Sequence, residues 1–510
     1  MKSRTWMWTT VVSLFAALAM PVGMAGQDNP SQDHKTKHHT YKLIDMGTFG
    51  GPNSFFFSQP VVQSVNNRGT VVGAADTSLQ DPYYPNCDTP DCLILRAFQW
   101  KNGILTDLGT LPHGFSSTAF WVNDAGLIMG GSENGDIDPI TGIPENIAVV
   151  WRHGEITSLG TLGGSFSFGN AMNNRGQVVG LALNAIPDPF SYLGLGTETR
   201  AFLWDKGVMR DLGTLGGPDG WAASINESGQ VAGWAFTNST PNPVTGVPTQ
   251  HPFLWKNGTM RDLGTLGGTL GVVGALDAGG SGGGLNNRGQ VAGTMNLAGD
   301  LTYHPFLWDR GVLTDLGTLG GSNGEAFWIN DAGGIVGQAD LPGSGTQLHH
   351  GFLWQHSAMI DLGTVDGDPC SRALVMNSRG QIGGASTTCT EFLHAFLWEN
   401  GGPMVDLNSL VSPASNLTMI TVNYINDRGE IAATGVLPNG DQHAILLVPD
   451  GDCDDDCEGR IAASQNNAAP VPYPATMTQG SESRVSPVNQ LRNRFGQRYQ
   501  APGQQVAPRD

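Results

Sequence analysis

Short apolar runs, each followed by a tight turn, recur along the chain between residues 41 and 450. The clearest copy is HPFLWKNGTMRDLGTLGG at 251–268, in which an apolar run, the pair Asn257-Gly258 and a second run follow one another. Runs of this length that are rich in aromatic and branched residues predict β-strands. Asn-Gly predicts a hairpin, because both turn residues need a positive φ.

A second pair of runs follows most copies of this motif, as in WINDAGGIVG from Trp328 and AMNNRGQVVG from Ala171. Each repeat therefore predicts four short antiparallel strands. A period of roughly 45–55 residues is typical of a propeller or a solenoid. Four antiparallel strands with Gly-rich turns favour a propeller blade. A right-handed β-solenoid is the alternative, although its coils are shorter and lack paired tight hairpins.

The number of blades follows from the strands that end in DLG or a variant of it. We count eight such strands, which end at Asp45, Asp107, Ser158, Asp211, Asp262, Asp315, Asp361 and Asp406. The prediction is an all-β propeller of about eight four-stranded blades, or of seven if one degenerate repeat does not form. The segment 419–448 supplies three strands and Tyr41–Gly47 can supply the fourth, so strands from both ends would close the ring and remove free sheet edges.

The joint pattern of HAFLWxNGxxxDLGTLGG with INxxGQVVG covers nearly all of residues 41–450, and its first segment stands as HAFLW at 394–398. In this pattern the chain resembles the HAF-repeat family of extracellular repeat proteins. The resemblance implies export and a repeat fold. It implies no catalytic residue, ligand or cofactor.

Residues 1–26 are typical of a signal peptide, with Lys2 and Arg4 before the apolar stretch Thr9–Met20 and small residues before Gly26. An uncleaved anchor helix is the alternative. No later apolar run is long enough to span a bilayer. The prediction is therefore a secreted or periplasmic protein, in which a polar linker at 27–40 precedes the propeller at 41–450. A net charge of −19 disfavours nucleic acid as a partner.

The C-terminal part contains a dense acidic segment and a polar tail. Residues 451–458 form an acidic loop that Cys453 and Cys457 bracket, and 459–510 have the composition of a disordered tail. The alternating oxygen ligands of Asp450, Asp452 and Asp454 suit Ca²⁺, but the spacing lacks the glycine and glutamate of an EF-hand loop. An exposed acidic turn is the alternative. No other cofactor is expected.

The six cysteines fall into local pairs: Cys87 with Cys92, Cys370 with Cys389, and Cys453 with Cys457. An even number in short-range pairs predicts disulfides in an oxidising compartment. Zinc is the alternative, but the CxxxxC and CxxxC segments lie far apart and no histidine stands at ligand spacing beside them.

Residues that recur in every copy are expected to serve the fold. The aspartate of DLG recurs in seven of eight copies, and we expect it to be a buried acceptor that ties a turn or a neighbouring strand. Where Ser158 replaces it, the hydroxyl can still bond the turn. Histidine opens the apolar strand in five copies, and this repetition favours turn or edge bonding over a metal site. The histidines are His251, His304, His350, His394 and His443.

The loops that differ between copies are expected to share one face. Because strands alternate in direction, both short hairpins of a repeat lie at one end, and the Gly-Gly loops and long connections lie at the other. Variable loops on a rigid scaffold are where binding usually resides. The long connections are predicted at Asp76–Leu95, Ser132–Asn146, Ala185–Thr199, Thr237–Gln250 and Gln338–His349.

The sequence thus predicts a binding or structural module for an extracellular or envelope ligand, either a glycan or a protein. Its candidate binding residues are Glu133, Asp136, Asp138 and Asp188. The alternative is a secreted carbohydrate-active hydrolase or lyase with an acidic pair at the mouth of the ring. The chain has no GxSxG, HExxH or Walker-type motif, so it leans away from an enzyme and offers no catalytic residue. Acidic pairs at the mouth would favour the enzyme, and aromatic or amide groups would favour the binder.

Overall fold

The computed structural model describes residues 40–450, apart from 58–61, 85–86, 88–90, 189–190, 276–282, 344–347, 400 and 412–415. The predicted signal peptide, nearly all of the linker, the acidic loop and the tail lie outside the described residues. So do the Cys453–Cys457 pair, Asp452 and Asp454. Those assignments stay predictions.

The described residues form thirty-two strands and one short 3-10 helix at Leu407–Leu410. The strands fall into sets of four, which we call repeats. The N-terminal strand is β1 (Tyr41–Asp45). Repeat 1 contains β2 (Gly50–Phe55), β3 (Val71–Gln80), β4 (Leu93–Lys101) and β5 (Ile104–Asp107). Repeat 2 contains β6 (Ser117–Val122), β7 (Ile128–Ile137), β8 (Pro144–Arg152) and β9 (Glu155–Ser158). Repeat 3 contains β10 (Gly163–Met172), β11 (Val178–Pro187), β12 (Thr197–Asp205) and β13 (Val208–Asp211).

The later repeats follow the same order. Repeat 4 contains β14 (Gly220–Ile225), β15 (Val231–Pro241), β16 (Pro248–Lys256) and β17 (Thr259–Asp262). Repeat 5 contains β18 (Gly267–Val273), β19 (Val291–Leu297), β20 (Tyr303–Asp309) and β21 (Val312–Asp315). Repeat 6 contains β22 (Gly324–Ile329), β23 (Ile335–Asp340), β24 (His349–Gln355) and β25 (Ala358–Asp361). Repeat 7 contains β26 (Cys370–Met376), β27 (Ile382–Thr387), β28 (Phe392–Trp398) and β29 (Val405–Asp406). Repeat 8 contains β30 (Thr418–Ile425), β31 (Ile431–Val436) and β32 (Gln442–Pro449).

Within each repeat the strands pair antiparallel in chain order, which gives an all-β, propeller-like fold of blade-shaped sheets. Six sheets have four strands and one has eight. The eight-stranded sheet is repeats 4 and 5, joined by one parallel pair between Gln250 and Leu270. Strand β1 completes repeat 8, because it pairs antiparallel with β32 from Tyr41 opposite Pro449 to Asp45 opposite Ile445. This is the pairing of the two ends that the sequence predicted.

The core of each repeat lies on its second and third strands. The phenylalanine of each HAF-type segment is fully buried in six repeats: Phe98, Phe202, Phe253, Phe306, Phe352 and Phe396. The glycine of each VVG-type strand lies beneath this ring. A Cβ on Gly233 would collide with the carbonyl oxygen of Trp221 and the ring of Phe253. This close approach explains why glycine ends that motif.

The short hairpins have the predicted turn geometry. Asn257 has φ of 50° and Gly258 has φ of 85°, so both turn residues are in the left-handed region. Asn102 and Gly103 repeat it with φ of 52° and 81°. Such turns match the twist of the strands they join.

The asparagine that opens each NxxG turn links one repeat to the next. Its Nδ2 donates to the backbone carbonyl of the equivalent asparagine in the following repeat, at 2.9–3.3 Å. The last member, Asn426, donates to the carbonyl of Asn66 at 2.9 Å, so the series returns to its starting residue. The series runs through Asn66, Asn123, Asn173, Asn226, Asn286, Asn330, Asn377 and Asn426.

The long connections are shorter than the sequence suggested, because strands extend into them. Strand β7 continues to Ile137 and β8 begins at Pro144, with a bulge between Glu133 and Ile137. Strand β15 likewise continues to Pro241, and β16 begins at Pro248. The loop assignments of Ser132–Asn146 and Thr237–Gln250 were therefore wrong at 132–137 and 144–146 and at 237–241 and 248–250, which are strand. Paired backbone, rather than free loop, supports these tips.

Candidate functional site

The antiparallel order places the two kinds of connection at opposite ends of each repeat. The NxxG and NG-type hairpins join strands one to two and three to four at one end, which we call the short-turn face. The connections between strands two and three leave from the other end, which we call the long-loop face. This grouping agrees with the sequence prediction.

Large hydrophobic side chains are exposed at the hairpin tips of the long-loop face in repeats 1 to 5. Their exposed fractions range from 44% for Ile137 to 84% for Leu301. Soluble proteins leave few such side chains grouped in water without a partner. We call this set the apolar arc, and it contains Leu79, Tyr84, Ile137, Ile140, Ile186, Val244 and Leu301.

Neighbouring hairpins of repeats 1 to 3 contact one another, so this part of the arc has a shared base. The Tyr83 hydroxyl of repeat 1 lies 3.5 Å from the Gly135 carbonyl oxygen of repeat 2, and the Tyr83 ring packs edge-on against Phe115. Ser165 Oγ of repeat 3 donates to Asp138 Oδ2 of repeat 2 at 2.6 Å. The tips are therefore held in place rather than free to splay apart.

Glu133 is fully buried, unlike a typical ligand contact. Its Oε2 accepts the backbone amides of Phe115 and Ser116, each at 2.9 Å. Those two residues directly precede the first strand of repeat 2, which begins at Ser117. The observed contacts of Glu133 thus tie the second strand of its repeat to the segment that enters it.

Asp138 is also buried, and it organises the tip of its hairpin. Its Oδ1 accepts the amides of Ile140 at 3.0 Å and Thr141 at 2.7 Å, and the Thr141 hydroxyl at 2.8 Å. Burial acts to raise the pKa of Asp138, but these bonds and the one from Ser165 outweigh it and lower the pKa below its usual value. Asp138 is therefore an ionised anchor of the tip that carries Ile140.

The other two predicted binding residues lie apart. Asp136 is exposed on the extension of β7, while Asp188 is buried in the next repeat, where its amide donates to the Gly196 carbonyl at 2.9 Å. The four carboxylates therefore fall on two hairpins, and three of the four are buried. Their role in ligand binding stays a prediction.

Sequence reasoning missed Asp219, a fully buried carboxylate at the start of repeat 4. It accepts the amides of Thr199 at 2.6 Å and Tyr192 at 3.1 Å. Burial, together with the charges of Asp188 and Glu198, raises the pKa of Asp219 to about 7 against those two bonds. The sequence contains one signal for this residue, which is its position in the repeat. The equivalent residues of repeats 1 and 6 are Asn53 and Asn323, and each accepts an amide from the preceding repeat.

The repeated histidines pair with the repeated aspartates. Nδ1 of the histidine lies 2.8 Å from the DLG carboxylate in four repeats: His251–Asp262, His304–Asp315, His350–Asp361 and His443–Asp45. Arg96 and Arg200 replace the histidine beside Asp107 and Asp211, at 3.9 and 3.5 Å. Repeat 2 has neither partner, since Ile147 occupies the position of the histidine and Ser158 that of the aspartate. The Ser158 hydroxyl still accepts the Gly160 amide, at 3.2 Å.

Each of these pairs lies within one repeat or, for His443 and Asp45, within one sheet. Across the described ranges, no group of three or more histidine, cysteine, aspartate or glutamate residues is placed to hold a metal ion. Of the predicted calcium ligands, Asp450 is described, and it is an exposed turn residue whose amide donates to the Thr40 carbonyl at 2.7 Å.

An aromatic contact joins two repeats that are not consecutive in the chain. Trp328 on β22 and Tyr424 on β30 pack edge to face with centroids 5.7 Å apart, although repeat 7 lies between theirs in the chain. Burial raises the pKa of Tyr424, and the charges of Asp427 and Asp124 add to the effect. Aromatic groups from non-adjacent repeats therefore meet there, and both side chains pack against one buried hydrophobic cluster.

Both cysteine pairs within the described ranges form disulfides, as predicted. Cys87–Cys92 and Cys370–Cys389 have Cα–Cα distances of 5.4 and 5.0 Å. Cys92 immediately precedes β4, and Cys389 lies in the connection between β27 and β28, so both bridges are on the long-loop face. Among the described residues, no helix has the length and apolar character needed to cross a membrane.

Comparison with known proteins adds a structural likeness. Neither a protein-family model nor a curated protein matches the sequence. Among solved structures, 33 chains match. One is a mutant of the Aleuria aurantia lectin AAL in complex with Fucalpha1-6GlcNAc, with 11% identity, 65% of this chain and 95% of that chain covered, and a TM-score of 0.23. At this identity and TM-score we infer no function from the lectin.

Proposed function

We propose that the protein is an exported, closed propeller of eight blades that binds a partner through its long-loop face. Eight-fold closure is supported by the asparagine series, which returns from Asn426 to Asn66, and by the pairing of β1 with β32. Export is supported by the signal-like N-terminus, the two disulfides and the HAF-repeat resemblance.

The apolar arc is the observation that carries the binding proposal. Its side chains are aliphatic apart from Tyr84, and they are displayed on hairpins that buried anchors such as Asp138 hold in place. Aliphatic groups gain free energy by leaving water against another apolar surface, whereas glycan recognition relies on aromatic faces and polar groups. We therefore propose a protein partner, which makes a glycan the second outcome of the test.

Negative charge near the arc indicates the charge that we propose for the partner. Asp136 is exposed between Ile137 and Gly135 on the β7 extension, and the whole chain carries a net charge of −19. A partner with basic groups around an apolar patch would associate faster than an acidic one. The hydrolase alternative gains no support, because Glu133 and Asp138 are occupied with backbone amides.

The test compares two triple variants. Ile140→Ser, Val244→Ser and Leu301→Ser alter the arc, whereas Ile104→Ser, Val208→Ser and Val312→Ser alter equally exposed side chains on outer strands. Binding to the envelope fraction of the source cells is measured before and after protease treatment of that fraction. We expect the arc variant alone to lose binding by at least about tenfold, since several buried side chains each contribute on the order of 1 kcal/mol.

Two results would count against the proposal. Equal loss in both variants would show that the arc has no special role. Undiminished binding after protease treatment, together with signal on a glycan array, would replace the protein partner by a glycan. Both variants should melt within a few degrees of the wild-type protein, because exposed positions contribute little to stability.

A further inference from the structure

The residues that directly follow the asparagines of the series form a second circuit of hydrogen bonds between repeats, on the short-turn face. In seven of the eight repeats the side chain of this residue accepts the backbone amide of the equivalent residue in the preceding repeat, as Asp124 does from Asn67 at 2.9 Å and Asn174 does from Asp124 at 2.9 Å. The last link runs from the Asp427 amide to Asn67 Oδ1 at 3.0 Å. The members are Asn67, Asp124, Asn174, Glu227, Asn287, Asp331, Ser378 and Asp427.

Acidic and neutral members alternate around this circuit. The even-numbered repeats carry a carboxylate, and the odd-numbered repeats carry an amide or a hydroxyl. The next residue alternates in the opposite sense, because the odd-numbered repeats carry arginine there: Arg68, Arg175, Arg288 and Arg379. One departure occurs, at Arg428 in repeat 8, whose guanidinium lies 3.6 Å from the buried Glu430 carboxylate.

These charges are displayed to solvent. Arg68, Arg175, Arg288 and Arg379 are all exposed, as are Glu227, Asp331 and Asp427. Within the described part of the chain, none of these four guanidiniums lies in an ion pair, whereas Arg96, Arg200, Arg310 and Arg428 each do. Ion pairs within the described part of the chain therefore do not neutralise the four arginines of the circuit.

A circuit with this alternation is complementary to itself. A twofold axis in the plane of the ring that passes between two adjacent repeats exchanges odd-numbered and even-numbered repeats. In such an isologous contact, each carboxylate of one copy faces an arginine-bearing turn of the other. No partner of uniform charge fits as well, because it would face like charges at every second repeat.

We propose that the short-turn face binds a second copy of this chain, face to face, with the alternating carboxylates and arginines in register. This goes beyond the partner proposed for the long-loop face, and it leaves that face outward on both copies. Exposed ion pairs are individually weak and screened by salt, so the dimer should be reversible and sensitive to ionic strength.

The experiment uses two complementary variants of the full chain. In the first, Asp124→Asn, Glu227→Gln, Asp331→Asn and Asp427→Asn leave only positive charge on the circuit. These amides keep the oxygen that accepts the neighbouring backbone N–H, as Asn174 already does. In the second, Arg68→Gln, Arg175→Gln, Arg288→Gln and Arg379→Gln leave the four carboxylates with Arg428 as the one remaining arginine among these positions.

Sedimentation velocity then distinguishes the outcomes. We expect the wild-type protein to dimerise, with Kd weakened at least about tenfold between low and high salt. Each variant alone should be monomeric, and an equimolar mixture should form a heterodimer. A monomeric wild-type protein, or dimers of equal strength in both variants, would overturn the proposal. If only the arc variant lost the dimer, the contact would lie on the long-loop face. Melting temperatures equal to that of the wild-type protein would show that the variants are folded.

Discussion

The DLG aspartates show what a repeated residue does at the scale of single side chains. The predicted role as a turn acceptor is confirmed, since Asp262 Oδ1 accepts the Gly264 amide at 2.8 Å. The predicted burial was wrong, because the Asp262 side chain is 43% exposed. It ends an outermost strand, where no further strand covers it. The histidine eleven residues earlier supplies its second bond, and repeat 2 has neither residue of this pair.

Asp219 provides a prediction at this scale. Its pKa is raised from the usual 3.8 to about 7, so the protonated carboxyl favours the folded state. That contribution is complete below about pH 4 and is lost as the pH rises through about 7. We expect Asp219→Asn to match the wild-type protein near pH 4 and to be more stable, by on the order of 1–3 kcal/mol, at pH 8. Urea unfolding of both proteins at the two pH values measures this difference in stability. The same difference between variant and wild-type protein at both pH values would contradict the prediction.

Strand β1 illustrates the scale of the element. Its five residues pair with β32, and His443 on β32 lies 2.8 Å from the Asp45 carboxylate. Removal of 40–48 would leave the β32 edge unpaired. It would also remove Tyr41 from its buried cluster and expose other members of that cluster, such as Leu447. We therefore expect this truncation to aggregate on mild heating, as measured by light scattering.

The matched control for that truncation is a chain that begins at Thr40, which retains all of β1. It should melt like the longer protein. If the truncation that lacks β1 melts at the same temperature as this control, the pairing of the two ends contributes nothing to stability, and the closure proposed above loses its main support.

The asparagine series belongs to the scale of the whole molecule. Asn226 Oδ1 accepts the amides of Ser228 and Gln230 within its own turn, while its Nδ2 donates to the Asn286 carbonyl at 3.1 Å. Asn226→Asp keeps the two acceptor bonds and removes the donor, so it breaks the link between repeats together with the bond from Nδ2 to Gln230 Oε1 at 2.9 Å. We expect a loss of about 1–3 kcal/mol in the free energy of unfolding, because a buried carbonyl loses its partner.

The control for the asparagine series is Asn238→Asp. Asn238 Oδ1 likewise accepts an amide, that of Thr240, but it lies on the β15 extension away from the series. This change should alter stability by no more than about 0.5 kcal/mol. Equal effects at Asn226 and Asn238 in denaturant titrations would show that the series does not couple the repeats.

The sequence by itself determined the strands, their turns and the grouping of connections by face. Each of these depends on neighbours within one repeat, such as Asn257-Gly258 or the glycine beneath Phe253, and eight copies report the same local rule. It also predicted both disulfides within the described ranges, because the two cysteines of each pair are close in sequence and the chain itself keeps them near each other.

Only the tertiary structure decided which residues act between repeats. The link from Asn426 to Asn66 spans most of the chain, and Asp219 and Asp138 each bond to a group of a neighbouring repeat. The strand extensions at β7 and β15 were missed for a related reason. Their polar, Gly- and Pro-containing sequences resemble loops, and they become strands because a partner strand lies beside them to accept and donate the backbone bonds.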